Sequence, residues 1–195
     1  MIGSKEESIQ SARELLGQAI EQGKREEAER WHLFRDVMVP GTVVGLLGAV
    51  LMAALALPLG ALTRGDLWHA ARLVGGVFFR ESPDHTLAVL VGLAVHVATA
   101  GGLATLFALL LPQGGTGTAA LMLGLLMGLA LQVVMPALVV PFASPPLDRE
   151  APHGAFLLVH LAFGASLGAV VPTRRLVATL DRMHRTLRGD RHALA

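Results

Sequence analysis

The sequence predicts an all-α integral membrane protein: a four-helix bundle built from two similar helical hairpins, with amphipathic cytoplasmic helices at its N- and C-termini. Three observations predict it. Of 195 residues, 53% are apolar and 16% charged, with 5% aromatic and no Tyr, whereas a soluble domain carries roughly 45–50% apolar and ~25% charged residues. Mean hydropathy is +0.57. Charge is also partitioned, with 22 of the 31 charged side chains in residues 1–39 and 173–195. Finally, four stretches free of Asp, Glu, Lys and Arg approach the ~20 residues that cross a hydrocarbon layer as helix. These features exclude a soluble enzyme and a disordered tail, and the absence of Cys excludes a disulfide scaffold.

Residues 1–38 read as a cytoplasmic amphipathic helical segment. Within it Ile9, Ala12, Leu15, Leu16, Ala19 and Ile20 recur at helical spacing between charges. A secretory signal would place its apolar run nearer the start. The four-span domain covers 39–172, with spans at about 39–62, 87–111, 119–140 and 154–171. Helices are expected because backbone groups in lipid must be satisfied within their own segment. The loop after the first span contains a short interfacial helix, with Leu67, Trp68, Ala71, Leu73, Val74, Val77 and Phe78 on its apolar side. Gly114-Gly115-Thr116-Gly117 is a tight turn and not a phosphate loop, since it has no Lys. Pro58 and Pro136 mark kinks or ends near the outer limits of spans one and three. Residues 173–195 form a basic amphipathic tail with a Leu176, Val177, Leu180, Met183, Leu187 stripe. Packing between the two terminal stripes, an interfacial position or a partner helix would each suit it.

Lys and Arg set orientation. Twelve of the 16 lie in the two terminal segments, against Arg64, Arg72, Arg80 and Arg149 in the longer loops. Both termini are therefore expected in the cytoplasm, and those loops outside. The tail arginines suit anionic lipid rather than nucleic acid.

The halves echo each other. Gly41-Thr42-Val43-Val44-Gly45-Leu46-Leu47-Gly48 opens span one, and Gly117-Thr118-Ala119-Ala120-Leu121-Met122-Leu123-Gly124 opens span three. Val95-His96-Val97-Ala98 and Val159-His160-Leu161-Ala162 sit on the returning spans. The expected relation is a two-fold axis along the membrane normal. Small residues at i, i+4 spacing form packing ridges, notably Gly41, Gly45, Gly124, Gly128, Gly164 and Gly168.

His96, Gln132 and His160 lie on those ridges at similar depth, so one inward polar cluster is expected. The plain reading is structural: a neutral His donating to a carbonyl or to Gln132. The sharper one is a bis-histidine haem ligated by His96 and His160, with Arg64, Arg72, Arg80 or Arg149 meeting its propionates. A proton or ion path is a third, though no carboxylate or Lys in the spans extends it. Asp84, His85, Asp148, Glu150 and His153 are metal-compatible but lack ligand spacing, so no metal is expected. Nucleophile signatures such as Gly-x-Ser-x-Gly are absent.

Gly65-Asp66-Leu67-Trp68-His69-Ala70-Ala71-Arg72-Leu73, Val95-His96 and His160-Leu161-Ala162-Phe163-Gly164 resemble small, uncharacterised four-span bacterial inner-membrane proteins, across about residues 38–172. The resemblance implies a fold and an inner-membrane location, and no activity. The expected function is a non-enzymatic structural or accessory subunit of a larger membrane complex or homo-oligomer. The alternatives are a haem b electron-transfer subunit and a small transporter.

Overall fold

Long runs without formal charge favour the backbone's own i→i−4 bonds, and helices follow. A computed structural model describes residues 16–18, 32–80 and 86–193, the last six by backbone alone. The N-terminal stripe other than Leu16, the loop residues Asp84 and His85, and the side chains of Arg188 and Arg191 lie outside what is described. No strand occurs among the described residues. Contacts divide the chain into Met1–His32, where one helical turn at Leu16, Gly17 and Gln18 is described, and Leu33–Ala195.

The second unit begins with a π-helical turn, Leu33–Met38, that runs into α1, Val39–Arg64. Pro40 lies just past that junction, and its missing N–H leaves the Asp36 carbonyl without a partner four residues on. Pro58 lies inside and the helix continues past it. Gly65 ends α1 with φ 69° and donates its N–H to the Ala61 carbonyl at 3.0 Å, a left-handed position that favours glycine. The remaining helices are α2 (His69–Gly75), α3 (Thr86–Leu110), α4 (Gly117–Val134), α5 (Val140–Ala143), α6 (Pro145–Glu150), α7 (His153–Leu167) and α8 (Val170–Ala193). Thr116 caps α4 by accepting from the Ala119 N–H at 3.1 Å. Pro136 does not end the third apolar stretch. The chain widens into a π-helical segment, Met135–Val139, which joins α4 to α5. Lacking an N–H, Pro136 cannot bond the carbonyl four residues back, and the wider turn takes up that break.

Four helical stretches are long and apolar enough to cross a membrane: Leu33–Arg64, Thr86–Leu110, Gly117–Ala143 and His153–Leu187. They pack in the order α3, α1, α7, α4, each against the next. Although one tight turn joins α3 to α4, they share no extended contact. The seams are built from small residues. A Cβ on Gly45 would lie 2.6 Å from the Gly101 Cα, and one on Gly41 2.7 Å from the Thr105 Oγ1. Between α4 and α7, a Cβ on Gly128 would lie 2.5 Å from the His160 carbonyl oxygen. Ala49, Ala100, Ala104, Ala108 and Ala120 are buried with Val44, Phe163 and Leu167. Large apolar side chains face outward, among them Leu46, Leu90, Leu126 and Leu158, each more than half exposed.

The loop helix α2 lies on α3. Ala71, Leu73 and Gly75 are buried, while Leu67, Trp68 and Phe78 stay exposed. A Cβ on Gly92 or Gly75 would strike the Ala71 or Ala88 carbonyl. The tail stripe is helical too, with Leu176, Leu180, Met183 and Leu187 exposed.

Candidate functional site

His96 shares a face of α3 with Gly92, Ala100, Ala104 and Ala108, all buried against neighbouring elements. That face places its ring beside α1. There Nε2 donates to the Ala49 carbonyl at 3.2 Å. A carbonyl only accepts, so Nε2 carries the proton. His160 is buried on α7, and its Nδ1 donates to Gln132 Oε1 at 3.4 Å. The Phe156 ring stands 5.2 Å from the His160 ring, tilted by 50°. His160 and Gln132 therefore meet, whereas His96 bonds to a backbone group of a different helix. Each histidine ties a helix to its neighbour: α3 to α1, and α7 to α4.

Both rings line one cavity of about 260 Å³ between α1, α3 and α7, with Leu131 and Met135 from the α4 end. Its walls are mostly apolar. Arg64, His69 and Glu150 also line it, brought there by the end of α1, α2 and α6. A bis-histidine haem would need a ring nitrogen from each histidine facing a shared iron. His96 Nε2 is engaged by the Ala49 carbonyl and His160 Nδ1 by Gln132, so His96 Nδ1 and His160 Nε2 are the nitrogens that would ligate it. Among the described residues, no cluster of three His, Asp or Glu could hold a metal ion.

Three of the four loop arginines, Arg64, Arg72 and Arg80, have protein partners. Arg72 pairs with Asp66, whose Oδ1 also accepts from the Trp68 N–H at 3.0 Å. Arg80 donates to the Phe142 carbonyl at 2.7 Å, and Arg64 to the Glu150 carbonyl at 3.5 Å. Buried Ser144 donates to the Leu73 carbonyl at 2.6 Å and accepts from the Leu147 N–H at 3.4 Å. These bonds stitch the two longer loops together. Ser144 gave no advance signal beyond standing before Pro145, a helix-start pattern.

Arg174 is the larger surprise. It reads in sequence as the first charge of the basic tail. In the fold it is buried. Nε donates to the Asp36 carbonyl at 2.8 Å, and Nη1 to the carbonyls of Leu111 and Pro112 at 3.2 Å each. Nη2 bonds the Ala108 carbonyl. The last carbonyls of a helix lack intrahelical partners and carry partial negative charge, so a forked cation at the end of α3 satisfies both needs. Nearby, Arg35 bridges Asp36 at 2.9 Å and Asp181 at 3.6 Å, and Arg185 holds Asp181 at 3.2 Å.

Gly124 and Gly164 face one another across the α4–α7 seam, Gly41 and Gly45 face α3, and Gly168 lies against Leu121. Against known proteins, no family model, no curated protein and no solved structure matches this chain.

Proposed function

We propose that the chain is a multi-pass protein of the bacterial inner membrane, with two helical hairpins and both termini in the cytoplasm. Its role is that of a non-enzymatic structural or accessory subunit of a larger membrane complex or homo-oligomer. One observation carries this reading: Gly and Ala form the seams where the long helices touch, while large apolar side chains such as Leu46, Leu90, Leu126 and Leu158 cover the outward faces. In water, large apolar groups gain most by burial. In hydrocarbon that drive vanishes, and close approach of small residues takes over. The polar groups within the spans support it as well. His96, His160, Gln132 and Ser166 all bond within the chain, leaving the outer surface to lipid or to a partner helix. The asymmetry of Lys and Arg supports the orientation.

Alkaline carbonate extraction, combined with alkaline phosphatase and fluorescent-protein fusions, tests placement. The protein should stay with the membrane, with fluorescence at the C-terminus and phosphatase activity in the loop before Ala151. Release by carbonate, or an active phosphatase at the C-terminus, overturns it. Mild solubilisation followed by native mass spectrometry tests the subunit role. A stoichiometric partner or homo-oligomer is expected, and a lone monomer counts against it. The same preparation should lack a Soret band.

A further inference from the structure

The 260 Å³ cavity is polarised along its length. Its outer end carries Arg64, His69 and Glu150. Away from those charges it is lined by Met52, Leu103 and Phe163, with the His96 and His160 rings, each already hydrogen-bonded within the chain, beside them. His69 Nε2 lies 3.7 Å from Glu150 Oε2, an ion-pair distance too long for a direct hydrogen bond. The Glu150 carboxylate is part-exposed and lines the cavity, so a bound group can reach it there.

The charges there define that group. Arg64 and Glu150 are of opposite sign. An anion gains from Arg64 and is repelled by Glu150, and a cation meets the reverse. A neutral hydroxyl avoids both conflicts: it donates to the carboxylate and accepts from a guanidinium or ring N–H. Size defines the remainder. A dry apolar cavity of about 150 Å³ admits benzene, and this one is larger yet below the ~300 Å³ at which drug-sized sites begin. That suits a slender tail. Since α3 and α4 do not pack on each other, a tail has a lateral way in.

We propose that this cavity binds a neutral amphiphile, with its hydroxyl head among Arg64, His69 and Glu150 and one hydrocarbon tail reaching Met52, Leu103 and Phe163. Entry from the bilayer rests on the membrane reading above; the site itself does not. The test uses the full chain purified in detergent and a diazirine-bearing decanol analogue, with peptide mass spectrometry locating the label. Peptides carrying Met52 and Phe163 should be labelled, and decanol should compete. Decanoate and decylamine should each compete about tenfold less well, having lost a matched bond to a charged group. Glu150→Gln should cut labelling by a similar factor while helicity stays unchanged. Ala155→Phe, which narrows the cavity wall, should block the tail. Label spread evenly over outward residues such as Leu90 and Leu126 overturns the proposal. So does decanoate competing as well as decanol, or Glu150→Gln labelling like the parent. Release by carbonate would sink the membrane reading and leave this labelling result standing, so the two failures are distinguishable.

Discussion

Replacing Gly164 with alanine puts a methyl group where α4 and α7 touch backbone to backbone. Its Cβ would lie 2.5 Å from the Gly124 carbonyl oxygen and 3.2 Å from the Gly128 Cα. Ordinary contact begins near 3.4 Å, so the shortfall at the oxygen is about 0.9 Å. Both neighbours are backbone, and no side chain can rotate away. The helices must separate instead. A gap of 0.5–1 Å forfeits roughly a quarter to a half of each facing dispersion contact. Overpacking of this kind costs about 1–3 kcal/mol, or roughly a 5- to 150-fold fall in the folded-to-unfolded ratio at about 1.4 kcal/mol per decade. Helix propensity alone pushes the other way, by about 0.8–1.0 kcal/mol in favour of alanine. Gly102→Ala isolates that opposing effect, since Gly102 is exposed on α3 and a Cβ there meets nothing within 4 Å. Unfolding by SDS titration in mixed micelles, followed by circular dichroism, reads both variants. Gly164→Ala should unfold at lower SDS than the parent, and Gly102→Ala at the same or higher SDS. Equal stability for Gly164→Ala, or an equal loss in both, would refute the backbone-seam argument.

Three further outcomes follow from the same geometry. A double-mutant cycle with Gln132→Leu and His160→Phe should give a coupling of about 0.6 kcal/mol in SDS unfolding, typical of an interhelical bond in lipid; zero coupling would show that the 3.4 Å contact contributes nothing. Arg174→Leu strips partners from several carbonyls and should cost about 2–4 kcal/mol, since each bond to a charged group is worth about 1.5–3. Exposed Arg175→Ala should stay within about 0.5 kcal/mol, and Arg174→Lys should rescue only in part because an ammonium cannot span the same fork. Ser144→Ala removes both the cap on α6 and the bond to α2, and should cost about 1–2 kcal/mol. It should also speed proteolysis of the two longer loops, and cleavage at the parent rate would count against their being stitched through Ser144.

The level at which the site was legible differs residue by residue. His96 and His160 stood out because a polar side chain amid uncharged residues is conspicuous in any reading. Their alignment with Gly and Ala at i, i+4 placed them on an inward face. Which atom each would meet was not visible. The bond from His96 goes to a carbonyl 47 residues away, and every residue has a carbonyl. Arg174 was hidden by its company, since it stands beside Arg175 at the start of a basic tail and matches it in type. Burial separates them, because α3 ends opposite one and solvent lies beside the other. Asp66 and Arg72 were visible as a short motif, and the left-handed Gly65 between α1 and Asp66 gives that motif its physical content.

The sequence by itself determined the number and apolar character of the long helices, because exclusion of charge is a sum taken residue by residue along the chain. It determined the small-residue seams for the same reason, through helical periodicity. The tertiary structure alone decided the order α3, α1, α7, α4 and the cavity they border. It alone brought Arg64, His69 and Glu150 to one end of that cavity, and Arg174 to the carbonyls of Asp36 and Leu111. These are matters of rigid-body register between helices. A shift of one residue along a helix turns a side chain by about 100° and lifts it 1.5 Å, enough to trade one partner for another without any change in composition, periodicity or charge.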